Sequence, residues 1–355
     1  MSEFFSNKYS SLVSYVPGEQ PKDMKYIKLN TNESPFSPTQ KVVQAVREEV
    51  ENLQLYSDPE CVKLREKFSE VFNVEKKNVI MTNGSDEALN FAFMAYGDKN
   101  HPFVFPDITY GFYPVFAQVN NIPYEEIKLK DDFSVDIKDY LSINKNIVIA
   151  NPNAPTGKEI SLEEIEEIVK SNPENIVIID EAYVDFGSKS AVGLTKKYNN
   201  LLVVGTFSKS RSMAGARLGF AIGNENLIND LNTIKYSTNP YNVNRMTQAA
   251  GIAILEENDY YMNKCKEICK IREWTKTELE KIGFNVVDSK TNFLFAKSDR
   301  IAGEELYLLL KENGILIRHF STEKLKDYNR ITIGTNEQME VLVQTIKKII
   351  KEQDK

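Results

Sequence analysis

The feature that most constrains the fold is a series of short, continuously apolar runs that alternate with helix-like stretches. The runs lie at residues 79–82, 103–105, 147–150, 176–179 and 201–204. Strands that helices cover on both faces have this composition because neither face meets water. The alternation therefore predicts an α/β fold with a mostly parallel central sheet between layers of helices.

The domain organisation is indicated by a change of pattern after about residue 258. A long helical stretch through Trp274 precedes segments in which apolar and polar residues alternate, as at 284–287 and 330–333. This pattern is typical of a smaller α+β domain. We therefore expect an N-terminal arm over residues 1–30 that packs with the small domain, a large domain over residues 31–258, and a small C-terminal domain over residues 259–355. A chain of 355 residues is long enough for two domains.

Composition argues against several classes of protein. The net charge of −7 and the scattered signs disfavour a nucleic-acid surface. No run approaches the roughly 18 apolar residues that span a membrane, and the N-terminus lacks the basic and apolar regions of a signal peptide. Three cysteines and two histidines are few for a disulfide framework or a histidine metal cluster. We expect no metal site, no membrane association, and a cytoplasmic enzyme or binding protein.

Polar residues follow the predicted strands at the same end of the sheet. In an open parallel sheet, ligands bind at the carboxyl ends of the strands. Each residue alone has an ordinary explanation as a helix cap, a turn or a solvated loop. Their recurrence at one edge predicts a small-molecule site lined by Gly84, Ser85, Asp86, Asn153, Asp180, Tyr183 and Lys209.

Two of these residues are costly to place. Asp180 ends the most apolar strand, where a carboxylate needs a cationic partner. A protonated pyridine nitrogen would serve, but so would an arginine, a lysine, or the metal of a nucleotide hydrolase. The chain lacks the Gly-x-x-x-x-Gly-Lys-Ser/Thr loop of such hydrolases. Lys209 follows another apolar run, and Thr206, Ser208 and Arg217 nearby are suited to holding a phosphate.

The ordered set Asn153, Asp180, Tyr183, Lys209 and Arg217 resembles the fold type I family of pyridoxal-phosphate enzymes. The resemblance implies pyridoxal 5'-phosphate as cofactor, with Lys209 forming a Schiff base to it and then moving a proton. It also implies that Asp180 keeps the pyridine nitrogen protonated. Asn153 and Tyr183 are expected to hydrogen-bond the phenolic oxygen of the cofactor.

The same resemblance assigns the remaining cofactor contacts. Tyr110 is expected to stack on the cofactor ring, and Tyr56 to reach the phosphate in a neighbouring subunit, which implies a homodimer. The phosphate itself is expected to be held by Gly84, Ser85, Asp86, Thr206, Ser208 and Arg217.

The two ends of the chain narrow the family. Residues 15–21, 28–35, 314–318 and 330–335 resemble the histidinol-phosphate aminotransferases, members of the class-II pyridoxal-phosphate aminotransferases. This resemblance implies transfer of an amino group between L-histidinol phosphate and 2-oxoglutarate in histidine biosynthesis. The expected substrate contacts are Tyr15, Asn32, Arg318 and Arg330.

Other functions on the same fold remain open from the sequence. An aromatic or broad-specificity aminotransferase, or a threonine-phosphate decarboxylase, would share every cofactor residue and differ only in the substrate pocket. A non-enzymatic, cofactor-binding regulator is a third alternative. Such a regulator usually carries a DNA-binding module, and no basic helix-turn-helix precedes residue 30.

Overall fold

The computed structural model describes residues 2–10 and 12–353. The strands are β1 (Ile27–Lys28), β2 (Val79–Thr82), β3 (Phe103–Pro106), β4 (Tyr124–Ile127), β5 (Asn146–Ala150), β6 (Val177–Asp180), β7 (Leu201–Thr206), β8 (Gly219–Ile222), β9 (Phe284–Val287), β10 (Phe293–Ser298), β11 (Ile315–Leu316), β12 (Arg318–His319) and β13 (Tyr328–Thr332). The helices are α1 (Gln40–Val50), α2 (Val62–Phe72), α3 (Ser85–Tyr96), α4 (Tyr113–Val119), α5 (Leu162–Ser171), α6 (Glu225–Thr238), α7 (Arg245–Glu256), α8 (Asn258–Glu280), α9 (Gly303–Glu312) and α10 (Asn336–Gln353).

Seven strands form the central sheet in the order β2-β8-β7-β6-β5-β3-β4. All neighbours pair in parallel except β8, which runs antiparallel to both β2 and β7. The predicted mostly parallel sheet is therefore confirmed. Strand β4 escaped the sequence reasoning because it lies at the sheet edge and reads Tyr-Glu-Glu-Ile, with little apolar signal.

Helices cover both faces of this sheet. Helices α3, α4 and α6 bury their apolar side chains against one face. Helix α5 packs on the other face over β5, β6 and β7. Its start is fixed by a capping box, in which Ser161 and Glu164 each accept a hydrogen bond from the other's backbone N–H. Helices α1, α2 and α7 pack beside β2 and β8.

A second, antiparallel sheet has the strand order β12-β13-β10-β9. Helices α8, α9 and α10 bury their apolar faces against it. Strand β1, within the predicted arm, pairs in parallel with β11 through the register Ile27 with Ile315. The boundaries between the arm, the large domain and the small domain remain predictions. Among the described residues, no helix has both the length and the apolar character needed to cross a membrane.

Candidate active site

Two cavities meet at the carboxyl edge of the central sheet. The inner cavity has a volume of about 140 Å³, and the outer one about 960 Å³. Both are lined by Tyr110, Ala154, Tyr183 and Lys209. A molecule bound in the inner cavity therefore meets one bound in the outer cavity at Lys209.

The predicted site residues divide between these cavities. Those that line the inner cavity are Ser85, Asp86, Tyr110, Asp180, Tyr183, Thr206, Ser208, Lys209 and Arg217. The four predicted substrate contacts Tyr15, Asn32, Arg318 and Arg330 all line the outer cavity. Three predicted residues, Gly84, Asn153 and Tyr56, line neither cavity.

Asp180 is buried at the end of β6. Its Oδ2 accepts a 2.9 Å hydrogen bond from the Tyr113 hydroxyl, and its Oδ1 accepts one of 3.2 Å from the Ala182 N–H. Burial raises the pKa of Asp180 to about 6, against the opposing effect of the Tyr113 hydrogen bond. Within the described part of the chain no ion pair involves this carboxylate, so it faces the cavity without a cationic partner.

Tyr113 is a site residue that sequence reasoning missed. It is the first residue of α4 and is fully buried, so its sequence context reads as ordinary core. Desolvation and the nearby Asp180 raise the pKa of Tyr113 well above its usual range, which keeps its hydroxyl protonated as a donor. Only the packing of α4 against the end of β6 brings these two residues together.

Lys209 stands in the turn after β7. Its Nζ donates to the Thr31 carbonyl oxygen at 3.2 Å and lies 5.8 Å from the centre of the Tyr183 ring. The Tyr183 hydroxyl accepts a 2.9 Å hydrogen bond from Asn32 Nδ2. Because an amide nitrogen cannot accept in return, the Tyr183 hydroxyl hydrogen is left for an acceptor in the cavity.

The start of α3 forms an anion-binding corner. Gly84 precedes the helix at φ +78°, and in the described part of the chain no side chain caps the first N–H groups. Uncapped N–H groups and the helix dipole favour a negative group at this point. A Cβ on Gly84 would collide with the Arg217 guanidinium, and one on Gly219 would collide with the Gly84–Ser85 backbone. Glycine at both positions lets these segments approach closely.

Hydroxyl and guanidinium groups complete this corner. The Thr206 hydroxyl donates to Ser208 Oγ at 2.9 Å, and Arg217 Nη1 lies 3.5 Å from the same oxygen. Arg217 Nη2 pairs with Asp86 Oδ2 at 2.9 Å, and the Tyr110 hydroxyl donates to Asp86 Oδ1 at 2.7 Å. These bonds fix the Arg217 and Tyr110 side chains at the cavity wall.

Asn153 is placed differently from its expected neighbours. Its Nδ2 donates to the Ile108 carbonyl at 2.9 Å and to Thr156 Oγ1 at 3.0 Å. Its Oδ1 accepts from the Thr109 hydroxyl at 2.7 Å. Both amide hydrogens are therefore used within the protein, and a hydrogen bond to a ligand requires the Thr156 contact to open.

Arg318 and Arg330 lie directly opposite each other on β12 and β13. Arg330 is half-buried, and desolvation of its guanidinium lowers the pKa of that group. Its Nη2 donates to the Asn30 carbonyl at 2.9 Å, whereas its buried Nε has no hydrogen-bond partner among the described residues. No ion pair is formed by either arginine among the residues that the structure describes. Like charges directly opposite on neighbouring strands destabilise a sheet, so this pair indicates an anion site.

The other two predicted substrate contacts frame the outer cavity. The Tyr15 ring packs 4.6 Å from the Phe112 ring and 6.5 Å from the Tyr110 ring, measured between centroids. Asn32 is buried, and its Oδ1 accepts from the Thr332 hydroxyl at 3.0 Å. Since its amide also donates to Tyr183, Asn32 orients a cavity residue.

Tyr56 lies on the surface rather than at either cavity. Its side chain is 79% exposed and stacks on the Tyr241 ring at 4.5 Å. A contact between Tyr56 and an active site therefore requires a second copy of the chain.

The fold and this site are those of one enzyme class. The chain belongs to the family of class I and II aminotransferases, whose family model matches residues 24–346. The family and the fold expected from the sequence are thus confirmed.

One named relative and two solved structures are similar to this chain. The chain is 50% identical over 353 residues to a histidinol-phosphate aminotransferase of Brachyspira hyodysenteriae, covering 99% of this chain and 100% of the relative. It shares its fold with the histidinol-phosphate aminotransferase of Sinorhizobium meliloti in complex with pyridoxal-5'-phosphate, at a TM-score of 0.89, 21% identity and 99% coverage of both chains. It also shares its fold with an L-threonine-O-3-phosphate decarboxylase of Porphyromonas gingivalis, at a TM-score of 0.80 and 19% identity, covering 92% and 99% of the two chains.

Proposed function

We propose that this chain is a pyridoxal-phosphate-dependent aminotransferase that moves an amino group between L-histidinol phosphate and 2-oxoglutarate, in histidine biosynthesis. The observation that carries the proposal is that two arginines, Arg318 and Arg330, line a cavity that opens onto Lys209 and form no ion pair with any residue that the structure describes. The 50% identity to a relative of that name over the full length supports it.

The inner cavity fits the cofactor. Asp180 is a buried carboxylate that forms no ion pair within residues 2–10 and 12–353, which suits a protonated ring nitrogen. The uncapped start of α3, with Thr206, Ser208 and Arg217, suits a phosphate. When bound, pyridoxal 5'-phosphate supplies an electron sink that stabilises negative charge at the substrate α-carbon. Tyr110 would pack on its ring, and Tyr183 and Asn153 would bind its phenolic oxygen.

Lys209 is the residue placed to move a proton. Its side chain lines both cavities, so its amine would be able to take a proton from the substrate α-carbon and hold it beside the bound cofactor. The Thr31 carbonyl holds the amine on one side, and the Tyr183 ring bounds it on the other. Tyr183 in turn is held by Asn32.

Arg318 and Arg330 explain how one pocket can bind two unlike substrates. One pocket must accept a phosphate ester and then a dicarboxylate, which share only negative charge. A guanidinium binds either group through two parallel hydrogen bonds. Binding also relieves the repulsion between the two arginines, and we expect Tyr15 to contact the bound substrate.

We further propose a homodimer in which Tyr56 contacts the phosphate in the neighbouring active site. Its 79% exposure supports this arrangement, as does its position outside the linings of the inner and outer cavities. We place the enzyme in the cytoplasm, a location that its three free cysteines fit.

The test compares kcat/KM for histidinol phosphate, phenylalanine and threonine phosphate with 2-oxoglutarate as acceptor. Histidinol phosphate is expected to exceed phenylalanine by about 100-fold in kcat/KM. Its phosphate has more charge and more acceptor oxygens for the two arginines than the single carboxylate of phenylalanine, and one additional charged hydrogen bond contributes about 1.5–3 kcal/mol. A clear preference for phenylalanine would make this a broad aromatic aminotransferase. Release of carbon dioxide from threonine phosphate would make it a decarboxylase. Cofactor binding without turnover of any substrate would favour the regulator.

A further inference from the structure

An ion pair between Arg211 and Asp185 joins the segments that carry Lys209 and Tyr183. Arg211 follows Lys209 by two residues, and Asp185 follows Tyr183 by two. Arg211 Nη1 lies 2.7 Å from Asp185 Oδ2. The Arg211 side chain is only 4% exposed, and neither member of the pair lines the inner or the outer cavity. The pair therefore acts on the site through the two segments that it joins.

The guanidinium of Arg211 is held from several sides. Its Nη1 also donates to Ser210 Oγ at 3.0 Å, and its Nη2 donates to Asn258 Oδ1 at 3.0 Å. The rings of Phe72 and Phe207 lie 5.1 Å and 5.3 Å from it. An arginine stays charged at any physiological pH, so its burial is stable only while these partners keep their places.

Asn258 extends the connection to a third segment. It is the first residue of α8, the 23-residue helix that packs on the second sheet. The Arg211 side chain thus connects three segments. They are the turn between β7 and β8 that carries Lys209 (residues 207–218, the Lys209 turn), the segment after β6, and the start of α8. A shift in any one of them changes the partners of a buried charge.

The Lys209 turn itself depends on such external support. It contains two non-glycine residues, Ser212 and Arg217, in the left-handed region at φ 55° and 56°. Residues in this region are strained and persist only where the surroundings fix them. One fixed point is the hydrogen bond of 2.8 Å from the Ser212 hydroxyl to Ser34 Oγ, and Arg211 supplies another.

We propose that Asp185 and Arg211 are positioning residues that keep Lys209 Nζ in its place beside the Tyr183 ring. This inference rests on the proposed function, because the position of Lys209 Nζ relative to Tyr183 matters for catalysis only if Lys209 moves a proton. Loss of the pair frees the Lys209 turn to shift relative to the segment after β6. Arg318 and Arg330, on the second sheet, keep their places, so substrate binding is retained while proton transfer slows.

The experiment uses the holoenzyme and three variants. Asp185→Asn keeps the side-chain volume and removes the charge, and Arg211→Met with Asp185→Leu removes both charges together. The matched control is Lys347→Met, which breaks a 2.9 Å ion pair with Glu278 between α10 and α8, away from both cavities. Measurements are kcat and KM for histidinol phosphate, the pH titration of the visible band of bound cofactor, and urea unfolding of the cofactor-free proteins.

Asp185→Asn is expected to lower kcat about 10- to 100-fold with KM changed less than about threefold, the effect of misplacing a reacting group by up to about 1 Å. The midpoint of the visible-band titration is expected to move, because the charges around Lys209 change distance. Lys347→Met is expected to lower stability without changing kcat or the titration.

Equal kcat values for Asp185→Asn and Lys347→Met, in a folded protein, would overturn the proposal. If Asp185→Asn does not fold, the double variant decides: a normal kcat overturns the proposal, and a lowered kcat with an unchanged KM supports it. An inactive wild-type enzyme would instead refute the proposed function. The two failures are therefore distinguishable.

Discussion

Replacement of Asp180 by asparagine is expected to stabilise the cofactor-free protein while it disables the enzyme. The pKa of this carboxyl rises from its ordinary value of 3.8 to about 6, and burial is the main cause. A rise of this size means that keeping the carboxylate ionised in the folded protein costs about 3 kcal/mol at neutral pH. Asparagine carries no charge and avoids this cost.

The gain is reduced by one lost hydrogen bond. Both Asp180 oxygens accept, from Tyr113 and from the Ala182 N–H, whereas an asparagine side chain has a single acceptor oxygen. Losing one such bond costs about 1 kcal/mol. We therefore expect the cofactor-free Asp180→Asn protein to be more stable than the wild type by about 2 kcal/mol at pH 7.5.

The sign of the pH dependence follows from the raised pKa. The folded protein holds the Asp180 proton up to about pH 6, and the unfolded chain releases it near 3.8. The contribution of this group to stability is therefore complete below pH 3.8 and is lost as the pH rises through 6. The advantage of the variant should shrink as the pH falls from 7.5 to 5.

Urea unfolding of the cofactor-free proteins at both pH values measures this effect. Asp139→Asn, at an exposed position, makes the same change of net charge without the burial and serves as control. Turnover of Asp180→Asn should fall by orders of magnitude, because a neutral amide cannot keep a ring nitrogen protonated. A variant less stable than the wild type by the same amount at both pH values, or one with normal turnover, would refute this reasoning.

Three further predictions concern other residues. Arg330→Met should raise KM for 2-oxoglutarate about 10- to 100-fold, since a charged hydrogen bond contributes about 1.5–3 kcal/mol, and should not destabilise the unliganded protein; an unchanged KM in steady-state kinetics would contradict it. Tyr183→Phe should lower kcat about 10-fold or more and shift the visible-band titration, because it removes a hydroxyl donor from the inner cavity; identical titrations would argue against this role. Mixing inactive Lys209→Ala subunits with weakened Tyr56→Ala subunits should restore activity, because one site of each mixed dimer would then combine a native Lys209 with a native Tyr56 from the other subunit. No recovery after subunit exchange would show that Tyr56 does not contribute to the neighbouring site.

The sequence predicted the centre of this molecule well because its physical cause is local. Strands buried on both faces must be apolar along their whole length, and a parallel sheet brings their carboxyl ends to one edge. That reasoning placed Asp180 and Lys209 at one cavity, where the structure has them. It also placed Ser85 there, at the start of α3.

What the sequence could not predict depends on contacts between distant segments. The hydrogen bond from Tyr113 to Asp180 spans 67 residues, and that from Asn32 to Tyr183 spans 151. The opposition of Arg318 and Arg330 depends on the register of two short strands. No local pattern encodes these pairings. Asn153 is a different case. The sequence predicted it as a residue that binds the cofactor, but in the structure both of its amide hydrogens form hydrogen bonds within the protein.

The central claim is that Lys209 is the residue that binds the cofactor covalently, through a Schiff base. The direct measurement is borohydride reduction of the protein with pyridoxal 5'-phosphate, followed by mass spectrometry of its peptides. The account predicts one modified peptide, carrying the cofactor on Lys209, and neither the adduct nor the visible band in Lys209→Ala. Modification of a different lysine in the wild type, or a normal visible band in Lys209→Ala, would contradict it.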